Sequence, residues 1–80
     1  MTSAEIMDKV ERIYEVRLRA DLERTQMNSF VAIEPESGDY FLGPTLSEAS
    51  AAARLVHPNR RCGIVRVGHE AALHMGALQV

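Results

Sequence analysis

The chain has no tryptophan, a single cysteine and no long apolar run. Each absence closes off a class of protein. A helix that spans a bilayer takes about 18 or more consecutive apolar residues, so no membrane span is expected. Met1 to Val10 also lack the basic and apolar regions of a secretory signal. The expected setting is therefore the cytoplasm, with no membrane partner. One thiol, Cys62, cannot close an internal disulfide, so no covalent staple supports the core. Its expected place is that of a small buried hydrophobe in a strand.

A surplus of positive charge is missing too. Nine Lys and Arg against eleven Asp and Glu give a formal net charge of −2. Binding along a phosphate backbone needs a basic surface, so no nucleic-acid partner is expected. The sequence contains no P-loop, dinucleotide fingerprint or G-x-S-x-G elbow. An enclosed, dry substrate pocket is also hard to build from 80 residues. The expectation is a protein that is not an enzyme and takes no cofactor.

What is present points to one globular domain over residues 1–80: 46% of the residues are hydrophobic and 25% charged, an ordinary folded composition. A core this small leaves a thin margin of stability, which a partner or a dimer would widen. Charge is unevenly placed. Between Ser29 and Glu48 lie Glu34, Glu36, Asp39 and Glu48 with no Lys or Arg, whereas Arg54, Arg60, Arg61 and Arg66 follow with no acid among them.

Periodicity predicts an amphipathic helix from about Ser3 to Arg24, within an N-terminal segment 1–26. Ile6, Val10, Ile13, Tyr14 and Leu18 recur at helical spacing, and Leu22 continues a drifting stripe. Ser3 is the expected N-cap. The i,i+4 pairs Asp8–Arg12 and Glu15–Arg19 favour a solvated opposite face. Met27, Asn28 and Ser29 break the pattern, and residues 29–76 read as a ββαβ core. Phe30 to Glu34 and Asp39 to Leu42 are predicted to form a hairpin whose Gly38 takes positive φ. Thr45 with Glu48 has the form of a capping box, so a second helix should begin there, carrying Leu46, Ala49, Ala53 and Val56 inward until His57-Pro58-Asn59 stops it. Arg61 to Gly68 reads as a third strand, and the tail to Val80 as a possible short fourth strand ending at Gly76.

The expected fold is thus α+β, in the order α-β-β-α-β with a possible further strand, forming a small, mainly antiparallel sheet covered by helices. Expected core residues are Phe30, Ala32, Tyr40, Leu42, Leu46, Ala53, Val56, Val65 and Val67.

Phe30-Val31-Ala32-Ile33, Gly38-Asp39-Tyr40, the Leu46 to Ala53 helix, His57-Pro58 and Val65-Arg66-Val67-Gly68 come in an order that resembles small bacterial α/β domains to which no function is assigned. The resemblance covers residues 30–68. Some members are encoded beside toxin or protease genes, so it implies an antitoxin-like or accessory role and no catalytic residue.

Chemistry sought residue by residue gives few sites. His69 and His74 suggest a zinc-binding helix, but a five-residue separation points them about 140° apart, and no metal site is expected. Glu34, Glu36 and Asp39 surround the hairpin turn and should face water. His57, Arg60 and Arg61 form a corner that could take a small anion, since arginine forks suit carboxylate and phosphate. The first helix, about 33 Å long, should overhang strands of about 18 Å. Its wide stripe of Ile6, Met7, Val10, Tyr14, Leu18 and Leu22 is therefore the expected binding surface for a protein partner, by the helix-in-groove mode. The alternative is a homodimer that pairs these helices and senses an anion at the arginine corner.

Overall fold

The computed structural model describes residues 2–69. The chain opens on a helical rod in three parts: α1 (Ser3–Ile13), a π-helical turn (Tyr14–Leu18) and α2 (Arg19–Thr25). Its N-cap is Thr2, one residue before the expected Ser3. The Thr2 hydroxyl accepts from the Glu5 amide at 3.2 Å, and the Glu5 carboxylate accepts from the Thr2 amide at 2.7 Å. This reciprocal box needs an acid three residues on; Thr2 has Glu5, whereas Ser3 has Ile6. Of the two expected charge pairs, Arg19 to Glu15 forms at 2.7 Å, and Arg19 also holds Glu23 at 3.0 Å. Asp8 and Arg12 form no ion pair among the described residues.

The π turn explains the drifting stripe. Ile6, Val10, Tyr14, Leu18 and Leu22 are buried at intervals of four residues. In an unbroken α-helix a four-residue step precesses by about 40°, so four steps would carry Leu22 about 160° away from Ile6. The Arg19 amide instead donates to the Tyr14 carbonyl, five residues back, and the turn therefore holds one extra residue. That residue removes about 100° of the precession and leaves about 60°, within the width of one apolar face.

After Asn28, which takes φ +72°, the chain enters the sheet. Strands β1 (Phe30–Ile33), β2 (Tyr40–Gly43) and β3 (Gly63–Arg66) lie in the order β2-β1-β3, with both neighbours antiparallel to β1. Phe30 faces Gly43 on one side and Arg66 on the other. The predicted hairpin forms, and Gly38 in its turn takes φ +79°. Between β2 and β3 runs α3 (Leu46–Val56), capped by Thr45, whose hydroxyl accepts from the Glu48 amide at 3.2 Å. The fold is α+β in the order α-β-β-α-β. The expected further strand falls in residues 70–76, outside the described residues.

Strand alternation sends side chains to two separate cores. Val31, Ile33, Val65 and Val67 pack against the long helix, while Ala32 and Ile64 pack with Cys62 against Ala49 and Ala53 of α3. The helices are thus on opposite faces of the sheet, and they are laterally offset: α1 lies over β3, whereas α3 lies over β2 and β1. Gly63 allows the close approach of α1, since a Cβ there would come within 2.8 Å of a Val10 methyl. Three of the expected core residues are corrected. Tyr40 and Leu42 point to the long-helix side of β2, which the offset helix does not reach, and they are 44% and 37% exposed. Val56, at the end of α3, is also exposed.

Candidate functional site

The stripe of the first helix is internal. Ile6, Met7, Val10, Tyr14, Leu18 and Leu22 are each at most 7% exposed, and all but Met7 belong to the core on that face of the sheet. The surplus apolar surface expected from the drift is absent because the π turn brings the whole stripe onto the chain's own sheet. These six residues hold the fold together and form no continuous surface for a partner; only Tyr14 and Ile6 border clefts.

Beside the π turn lies a cleft of about 430 Å³. Tyr14 lines its floor and donates to Glu23 at 3.2 Å, while the Gly68 amide approaches its hydroxyl at 3.5 Å. Burial raises the Tyr14 pKa, with Glu23 adding to the rise. Arg19 braces Glu15 and Glu23 across the opening, and its own pKa is raised by Glu15 first. Glu15, Arg19 and Glu23 of this cleft therefore satisfy one another, while Glu11, also in its lining, forms no ion pair among the described residues.

The arginine corner is similarly engaged. Arg60 donates to Glu34 at 3.2 Å and lies 3.8 Å from Glu36. His57 caps the end of α3, and its Nε2 meets the Asp39 carboxylate at 2.8 Å. Its ring also packs edge-on against Phe41. Two of the three expected anion ligands are thus directed at acids of the hairpin, and among the described residues only Arg61 of that trio has no acidic partner. A cleft of about 250 Å³ remains there, between Ile6, Pro35 and the two arginines.

Glu34 does not face water as expected: it is 1% exposed. Its carboxylate turns back over the loop and accepts from the amides of Glu36 at 3.0 Å and Ser37 at 2.7 Å. Burial pushes its pKa up, but the bonds from Ser37, Glu36 and Arg60 outweigh it and hold the carboxyl below its ordinary value. Cys62 is buried as expected, although it immediately precedes β3. Burial first, and Glu34 second, push its thiol up to about 11, which suppresses the nucleophilic thiolate. His69 meets the Asn28 side chain at 2.8 Å, and His74 lies outside the described residues. Among the described residues no group of three metal-ligating side chains occurs.

The outer edge of β2 offers unsatisfied recognition chemistry. Opposed residues of an antiparallel pair alternate between those that exchange hydrogen bonds and those that do not. The Glu34 amide donates to the Asp39 carbonyl at 2.9 Å, so Asp39, Phe41 and Gly43 turn their backbone groups toward β1. Tyr40 and Leu42, opposite Ile33 and Val31, must turn theirs outward. Among the described residues the edge thus combines two amides and two carbonyls without partners and two half-exposed apolar side chains, with no charge from Tyr40 to Gly43. Strand alternation alone puts both residues in the core, because it identifies the face a side chain occupies and not whether a helix covers it there. The surplus apolar surface expected on the first helix is absent, and the half-exposed apolar pair lies on the sheet instead.

No protein-family model, curated protein or solved structure matches this chain. Among the described residues no helix is long and apolar enough to cross a membrane.

Proposed function

We propose that this chain is a non-enzymatic, antitoxin-like accessory subunit of the cytoplasm that docks through the outer edge of β2. The mode is strand addition, in which main-chain hydrogen bonds give affinity and alternate side chains give selectivity. The observation that carries the reading is the pair Tyr40 and Leu42, whose outward backbone groups and exposed side chains lie on one uncharged edge. Natural edge strands are usually protected by lysine, proline or a covering loop. Lys and Pro are absent between Tyr40 and Gly43, and Pro44 comes only after the strand. The buried helix stripe supports the same shift of surface, from α1 to the sheet.

The test compares tagged wild-type chain with a Tyr40→Lys, Leu42→Lys variant, each recovered at native expression and weighed as a complex in solution. Wild type should elute in a stoichiometric assembly that the variant loses while retaining its far-ultraviolet circular dichroism. An unchanged assembly in the variant would remove β2 from the argument. A wild-type chain that carries no second protein and stays monomeric up to near-millimolar concentration would overturn the subunit reading.

A further inference from the structure

We infer that the β2 edge pairs with the β2 edge of a second copy of this chain, antiparallel about a two-fold axis at Phe41. This rests on the reading of β2 as the docking edge and adds the occupant and its register. Outward residues must face outward residues in an antiparallel pair, which leaves three two-fold registers for Tyr40 and Leu42. Tyr40 opposite the partner's Pro44 fails, because proline has no amide to donate. Leu42 opposite the partner's Gly38 fails as well, since the Gly38 amide already donates to the Glu34 carbonyl at 2.8 Å. The remaining register sets Tyr40 opposite the partner's Leu42 and repeats the pair by symmetry. All four outward donors and acceptors of each strand are then satisfied, and each half-exposed tyrosine ring covers a half-exposed leucine.

Charge selects a copy at this edge and not at the other. Tyr40 to Gly43 carries no charge, so self-pairing brings no like charges together. The nearest acid, Asp39, falls opposite the partner's Gly43. The two copies of Asp39 are then about 14 Å apart along the strands, beyond the physiological screening length of about 8 Å. By contrast β3 ends in Arg66, and Arg61 precedes it, neither paired with an acid among the described residues, so a copy approaching that edge meets its own sign. A pairing of four residues per strand is small, so the dimer should be weak, with a dissociation constant on the order of tens of micromolar.

Sedimentation equilibrium of the full chain from low micromolar to near millimolar concentration should show a mass rising toward twice 8.9 kDa. The Tyr40→Lys, Leu42→Lys variant and a Tyr40→Glu, Leu42→Glu variant should each remain monomeric, and an equimolar mixture should recover the dimer, which a folding defect would not do. For the register, oxidising a mixture of Tyr40→Cys and Leu42→Cys chains should link unlike chains at least several-fold more than either variant links to itself. Wild type that stays monomeric throughout overturns the inference. If it stays monomeric but the lysine variant loses a different stoichiometric protein, the docking edge stands and only the second copy fails. A lysine variant that dimerises like wild type overturns both.

Discussion

Glu34 is a charged residue placed where a water-facing one was expected, and the reason is local. It ends an apolar strand, so its side chain starts on a covered face, and the loop that follows presents two amides to it. A buried carboxylate without such partners would carry the full cost of desolvation. Glu34→Gln retains the shape and discards the charge; it should cost about 1–3 kcal/mol in urea denaturation at neutral pH. The folded pKa lies below the unfolded value of about 4.3. The stabilisation is therefore complete above that pH and is lost as pH falls through the folded value. Wild type should lose stability in this acid range, and the variant should lose less over the same interval. Gly63 makes a second demand at the same scale. Gly63→Ala would press a methyl against Val10, and overpacking of this kind should cost about 1–3 kcal/mol, read as a lowered melting temperature.

Among the elements, the first helix was the one most easily misread. Its four-residue repeat is plain in the sequence and, in an unbroken α-helix, implies surplus apolar surface. The same repeat is a core stripe once a π turn is admitted. The sequence does not announce that turn, because whether a helix takes in an extra residue depends on what it must cover. Removing the extra residue should therefore be tolerated. Deleting Val16, which is 77% exposed, leaves burial steps of four, four, three and four residues, which precess by the same total of about 60° in a continuous α-helix. The shortened chain should fold, retain its helical circular dichroism and melt within a few degrees of wild type, while the cleft beside Tyr14 changes shape. A collapse of stability would show that the π turn itself is required. Elements with local signals were legible: the turn at Gly38, the cap at Thr45 and Glu48, and the strand around Ile64 and Val65 all depend on residues close in sequence.

Across the whole molecule, the two helices cover the sheet from opposite sides without being in line with one another. Tyr40 and Leu42 look like core residues in any alternating pattern and are exposed only because α1 stops short of them. Val65 of β3, level with Leu42 on the same face of the sheet, is buried under the long helix. That asymmetry arises from three-dimensional placement and has no signature in the spacing of residues. The arginine corner has the same origin: its positive charge is evident along the chain, but the acids that occupy His57 and Arg60 arrive from 18 and 26 residues away.

The strand order has a consequence for synthesis. The central strand is the first of the three to leave the ribosome, and the strand that completes it is the last. Until Arg66 has emerged, Val31 and Ile33 turn their amides and carbonyls toward a vacant side, and the long helix has only part of its floor. A nascent chain at that stage exposes two sheet edges in place of one protected and one pairing edge. Chains interrupted before Gly63 should accordingly appear in cells as aggregates or as products of proteolysis, and not as a smaller folded protein.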